Sequence, residues 1–322
     1  MTLVLTILLL IAVALGAAAL STRSLAAKGE AAVPQAGRIR PVQGGSLHYI
    51  DEGPRDAQAI VLIHGLGGQL QHFTYRLAPL LTDAFRVIAV DRPGCGWSDR
   101  DSDARAAIPQ QARMIGDLLV DLGVESPVVV GHSLGGAIAL AMALDRPDKT
   151  GALALLCPLT HDAGDIPPMF KGLAVTSPGL RRLLGHTIAA PMALRTAPAT
   201  LTAVFAPEPW PEDFLSHGGG ALGLRPKGFI TASADMTAVP AAIVPQVARY
   251  PEELKTPGGV LYGAEDHVLD PKVHGEPMAA FGLDYEALAG KGHMIPMTEP
   301  EACADFIRRM AAKARPSSAA AE

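Results

Sequence analysis

Three side chains that could do chemistry together stand at three similar junctions: Ser133 in GHSLGG (131–136), Asp266 in YGAEDH (262–267) and His293 in GKGHMIP (290–296). A serine hydroxyl is a poor nucleophile at neutral pH and needs a base within hydrogen-bond reach. An imidazole is that base, and a carboxylate on its second ring nitrogen fixes the tautomer and stabilises the imidazolium. Ser133, Asp266 and His293 therefore read as nucleophile, orienting acid and base. Other groups compete for two of these roles. His64 and His267 stand as alternative bases, whereas His132, next to the serine, is expected to point away from it. Glu265, Asp270 and Asp162 are alternatives to Asp266. Ser133 itself has a plainer reading as the N-cap of the helix that follows.

Attack on a carbonyl also needs donors for the oxyanion, usually two backbone N–H groups worth several kcal/mol in the transition state. Leu134, directly after the serine, is one candidate. Leu66, in HGLGG (64–68), is the other, since glycines let that loop turn its amides inward.

The elements around these residues have a consistent pattern. Val128, Val129 and Val130 read as a strand buried on both faces, and AIALAMAL (137–144) reads as a packed helix, so Ser133 sits on a tight strand-to-helix turn. Further strands are read at 45–53, as an edge strand, and at 57–63, 85–90, 151–157, 258–262 and 283–288. Helices are expected over 70–81, 104–122 and 299–313. Strands alternating with helices of this size predict a mainly parallel sheet covered on both faces. In such sheets ligands sit beyond the C-terminal strand ends, where the three chemical residues lie. The alternation lapses between 160 and 250, a stretch rich in Pro, Met, Ala and Gly that carries Met169, Phe170, Trp210 and Phe214. It reads as a cap inserted above the sheet, splitting the core into 41–159 and 251–315.

With GHSLGG, VLIHGLGG (61–68) and AVDRPGCGWSD (89–99) in place, the chain resembles the α/β-hydrolase fold family over about 45–313, in its capped branch. That resemblance implies an eight-stranded, mostly parallel sheet, a mainly helical cap, and the triad Ser133, Asp266 and His293. Epoxide hydrolases and haloalkane dehalogenases carry an aspartate where Ser133 stands, so the resemblance points instead to ester, thioester, lactone, amide or carbon–carbon cleavage, or to cofactor-free haloperoxidase-like chemistry. The expected activity is a serine hydrolase acting on a moderately hydrophobic carboxylic ester. A non-catalytic accessory protein on the same fold is the rival from another class.

Composition bounds the partners. A net charge of −5 and the absence of a basic run give no case for nucleic acid. Cys95, Cys157 and Cys303 are odd in number and far apart, so they imply neither a disulfide framework nor a metal site, and no cofactor motif is read. Residues 2–20 are apolar and uncharged, about 29 Å of helix, enough to cross a bilayer. No Lys or Arg precedes them, while Arg23, Lys28, Arg38 and Arg40 follow. That asymmetry favours a retained inner-membrane anchor with the catalytic domain on the cytoplasmic side over a cleaved signal and a secreted or periplasmic enzyme. Residues 21–40 read as a linker, and the partner is expected to be a small acyl substrate.

Overall fold

The computed structural model describes residues 1–162 and 164–314. The expected core end at 315 lies one residue outside them. The chain opens with α1 (Thr2–Ala32), then β1 (Arg38–Val42), β2 (Gly45–Glu52), β3 (Ala59–Ile63), the single turn α2 (Gln71–Thr74) and β4 (Arg86–Val90). The two-residue β5 (Asp99–Arg100), α3 (Ile108–Asp121), β6 (Val128–His132), α4 (Leu134–Asp145) and β7 (Ala152–Leu156) follow. Helices α5 (Pro178–His186), α6 (Ala189–Phe205) and α7 (Pro226–Glu253) precede β8 (Gly258–Gly263), α8 (Pro271–His274), β9 (Asp284–Leu288), α9 (Ile295–Thr298) and α10 (Pro300–Ala311).

The sheet runs β1-β2-β4-β3-β6-β7-β8-β9, with β5 paired to β2 off this path. β2 is antiparallel to its neighbours, and every pair from β4 to β9 is parallel. Strands β3, β4, β6, β7 and β8 are buried at every position, which is why they read as unbroken apolar runs. Segment 45–53, expected at the edge, lies one strand in, because Arg38–Val42 covers it. Charged and proline-containing β1 has the composition that keeps a sheet edge from pairing further.

Other expectations are corrected by local chemistry. The helix expected over 70–81 becomes α2 and a short 3-10 turn at Ala78–Leu80, since Pro79 cannot continue a helix begun before it. The linker expected over 21–40 is largely helix: α1 continues on alanine-rich sequence to Ala32 and stops before Pro34. The cap boundary expected at 250 falls inside α7. Its C-terminal half packs on the core, where Gln246 Nε2 donates to the Ala137 carbonyl at 3.0 Å and the Tyr250 hydroxyl donates to the Thr160 carbonyl at 2.9 Å.

The N-terminal half of α7 is clamped by buried charge. Arg92 Nη1 donates to Asp235 Oδ2 at 2.8 Å and to Gln111 Oε1 at 2.6 Å, and Arg100 Nη1 reaches Asp235 Oδ1 at 2.5 Å. Arg92 and Asp235 are fully buried, so each charge depends on the other for compensation. From α5, Arg181 extends the network to Asp103 at 2.7 Å and to Ser233 at 3.1 Å.

Candidate active site

Ser133 is the residue at which β6 becomes α4, and its backbone is at φ 55°, ψ −124°. A non-glycine residue there costs on the order of 1–3 kcal/mol and persists only when its surroundings enforce it. They do: Ser133 N–H donates to the Leu156 carbonyl at 3.2 Å, while the Ser133 carbonyl accepts from Gly136 at 2.8 Å and Leu159 at 2.9 Å. The flanking glycines let backbone meet backbone. A Cβ on Gly135 would sit 2.1 Å from the Ile63 carbonyl oxygen, and one on Gly131 would sit 2.4 Å from that of Gly135. The side chain makes no capping hydrogen bond to α4, so the N-cap reading gives way to a displayed hydroxyl.

His293 and Asp266 meet as a buried pair, with His293 Nδ1 donating to Asp266 Oδ2 at 2.7 Å. Asp266 Oδ1 accepts from the Val268 and Leu269 N–H groups at 2.8 and 2.9 Å, so both carboxylate oxygens are held. The rival acids do other work. Asp270 caps α8 through the Lys272 N–H, Asp162 closes a turn on Gly164, and Glu265 is exposed.

The rival bases are also placed elsewhere. His267 is exposed. His64 is a strut: its Nε2 accepts the Arg92 N–H at 3.0 Å, leaving Nδ1–H to donate to the Gly65 carbonyl at 2.9 Å. Burial, then the Arg92 charge, push its imidazole well below the usual range and keep it neutral. Asp91 is another strut, buried, accepting from Leu70 N–H at 2.7 Å, Trp97 N–H at 2.8 Å and His48 Nδ1 at 2.7 Å. The 91–98 loop thus braces the 64–70 loop.

Leu134 begins α4, where a helix leaves its first N–H groups without internal acceptors. Leu66 lies across from it in the 64–68 turn. Two cavities meet here, of about 410 and 100 Å³, and Ser133, Leu66 and Phe170 border both. His293 borders only the larger one, Leu134 only the smaller. The cap supplies most of the apolar wall: Met169, Phe170 and Phe214 border the larger cavity, while Trp210 packs behind it with Phe205.

Three residues support the pair through contacts that the sequence does not reveal. His132 Nε2 donates to the His293 carbonyl at 3.0 Å, and their ring centroids are 4.9 Å apart. Burial, then the adjoining His293, hold the His132 imidazole well below its usual range. Glu208, from the cap, accepts the Gly292 N–H at 2.7 Å and so holds the histidine loop from above. Cys157, at φ 41°, lies under the pair, with a donor atom within 4.8 Å of those of Asp266 and His293. Such a trio of donors has the composition of a cation site. Burial, then the Asp266 charge, push the Cys157 thiol well up, however, keeping it a protonated packing group. Only its position after β7 hinted at any of this.

Comparison with known proteins agrees with this architecture. A profile for the alpha/beta hydrolase fold matches residues 58–300. The dihydrolipoyllysine-residue acetyltransferase component of the acetoin cleaving system of Cupriavidus necator is 34% identical over 131 residues, 41% of this chain and 34% of that protein. The 2-hydroxy-6-oxononadienedioate/2-hydroxy-6-oxononatrienedioate hydrolase of Paraburkholderia phymatum is 34% identical over 137 residues, 41% of this chain and 47% of that one. The match thus spans less than half the length of either relative. An alpha/beta hydrolase fold protein from Burkholderia ambifaria superposes with a TM-score of 0.69 at 22% identity, over 83% of this chain and 95% of that one, a likeness of fold.

Proposed function

The chain belongs to the α/β hydrolase fold family, and on that premise we propose that it is a serine hydrolase cleaving a moderately hydrophobic carboxylic ester, thioester or lactone. One observation carries the reading: a continuous chain from the Val268 and Leu269 amides through Asp266 to His293 ends at the cavity that displays the strained Ser133. His293 Nε2 would take the Ser133 proton as Oγ bonds to the carbonyl carbon. The oxyanion would lie against the Leu66 and Leu134 N–H groups, each worth about 3 kcal/mol to such a transition state. As the carbon–oxygen bond breaks, His293 returns the proton to the leaving alcohol. Water, deprotonated by His293, then releases the acid and restores Ser133.

The two cavities suggest two arms. The leaving group must lie beside the histidine that protonates it, and therefore in the larger cavity. The acyl group then occupies the smaller one, about 100 Å³ against about 410 Å³ for the larger. The Paraburkholderia hydrolase raises a second reading, carbon–carbon cleavage with the same triad. Against it, no Lys or Arg among the described residues borders either cavity to receive a dicarboxylate.

We further read α1 as a retained anchor. It is long and apolar enough to cross a membrane and continues unbroken to residues packed on the domain, while Arg23 and Lys28 favour a cytoplasmic domain. Fluorophosphonate labelling tests the chemistry: wild type should label and Ser133→Ala should not, and labelling that survives the change sinks the assignment. Well-folded wild type that fails to label would favour the accessory role. N-terminal sequencing of the membrane fraction tests the anchor, which a mature start near residue 20 overturns.

A further inference from the structure

The face of α1 that meets the protein is a stripe: Leu15, Ala18, Thr22, Leu25 and Gly29 are shielded, at helical spacing, while residues 2–14 are exposed. Thr22 Oγ1 donates to the Thr187 carbonyl at the α5–α6 corner, and a Cβ on Gly29 would sit 2.4 Å from the Ala221 carbonyl oxygen. Helix α1 packs along α6 as well. This stripe overlaps the apolar run. Arg23 is the first charge, so a bilayer holding that run places Arg23 near the headgroups and Leu15–Thr22 within the last ~12 Å of hydrocarbon. Those residues are already packed on the cap, so the adjoining cap surface must lie at the same depth.

That surface has the composition such a depth requires. Leu180 and Leu183 on α5, Ile188 at the corner, and Met192 and Leu194 on α6 are all exposed, with Met192 at 55% and Leu183 at 49%. No Asp or Glu occurs between Asp165 and Glu208, whereas Lys171 and Arg195 are exposed there, a charge pattern suited to an anionic leaflet. Met192 and Leu194 also border the larger cavity, which also holds Ser133 and His293. We propose that the α5–α6 corner is bedded in the lipid leaflet and that the larger cavity opens there, so that the substrate enters sideways from the bilayer. The substrate class is a short-chain acyl ester of a lipophilic alcohol. This rests on the reading of Ser133 as nucleophile and of α1 as a retained anchor.

The test uses the full chain in vesicles of phosphatidylcholine and phosphatidylglycerol. The native cysteines are buried, so Leu183→Cys, Met192→Cys and a control on the exposed face of α3, Val120→Cys, can each carry one environment-sensitive fluorophore. Labels at 183 and 192 should be quenched by spin-labelled acyl chains and shielded from iodide, with the reverse at 120. Iodide quenching at 183 and 192 in the vesicle-bound chain overturns the proposal. As a second arm, Leu183→Glu with Ile188→Glu should slow hydrolysis of bilayer-dissolved hexadecyl butyrate at least about tenfold and leave aqueous p-nitrophenyl acetate within about twofold. Equal rates on the bilayer ester would likewise overturn it. A wild type that does not label with fluorophosphonate refutes the catalytic premise instead and leaves the depth measurement standing.

Discussion

Replacing Asp266 with Asn changes one atom and tests the centre of the proposed mechanism. The amide oxygen can still accept from the Val268 and Leu269 amides at the 2.8 and 2.9 Å now seen, so the loop keeps its shape. The amide NH₂ then faces His293 Nδ1 at the present 2.7 Å, where two donors oppose each other. Imidazole relieves this by moving its proton to Nε2, which removes the lone pair that must accept the Ser133 proton. The charge term points the same way. An imidazolium and a carboxylate with centres about 4 Å apart at an effective dielectric near 20 attract by about 4 kcal/mol, or roughly 10³ in rate. Asp266→Asn should therefore lower kcat for p-nitrophenyl butyrate by about 10³-fold or more and slow fluorophosphonate labelling in parallel, with a urea midpoint close to wild type. A folded variant retaining kcat within tenfold would refute the assignment of Asp266 as the orienting acid.

Asp235→Ala should cost about 3–5 kcal/mol in urea unfolding, because it leaves Arg92 buried without its anion and strips a partner from Arg100; a loss under about 1 kcal/mol would mean the clamp does not hold the cap. Stability should also fall with acid. Burial lowers His72 to about 4, and burial followed by the His161 charge lowers His274 to about 4, while His64 and His132 lie well below 6.5. The unfolded chain takes up these protons first, so stability present above pH 6.5 declines as pH drops towards 4, by up to about 1.4 kcal/mol per unit for each group, and denaturation midpoints measured across that range would show it. Phe170 borders both cavities, so Phe170→Ala should enlarge the smaller one and shift preference towards longer acyl groups across an ester series; an unchanged profile would count against the assignment of acyl and alcohol arms. Gly135→Ala drives a Cβ into the Ile63 carbonyl and should abolish labelling at Ser133 even where folded protein is recovered.

The parallel core was legible in the sequence because strands buried on both faces write themselves as apolar runs, and the tight strand-to-helix turn at Ser133 because glycine is the only residue that lets β6 and α4 close on each other. The order serine, acid, histidine was legible for a related reason: each residue stands in the loop or turn that follows a strand, where the chain leaves the sheet. What periodicity could not show was where helices stop when a proline or a tertiary contact decides it, as at Pro79, or along α1 beyond Leu20, where docking on the cap and helix-forming alanines replace an expected linker. Periodicity does not single out Asp266 among the acids of 262–270; its selection rests on its place after the strand and on the family resemblance, and its contact with His293 is visible only in the fold.

Sequence alone therefore determined which residue types stand at the strand ends, and that an apolar helix precedes the domain. The tertiary structure decided which of them meet: Asp266 with His293, His132 beneath the histidine loop, Glu208 above it, and the C-terminal half of α1 against the cap. The physical reason is separation along the chain. Glycine strain, strand burial and helix breaking act between neighbours and leave a local mark, whereas the Arg92–Asp235 clamp joins positions 143 residues apart, and nothing local in either segment names its partner.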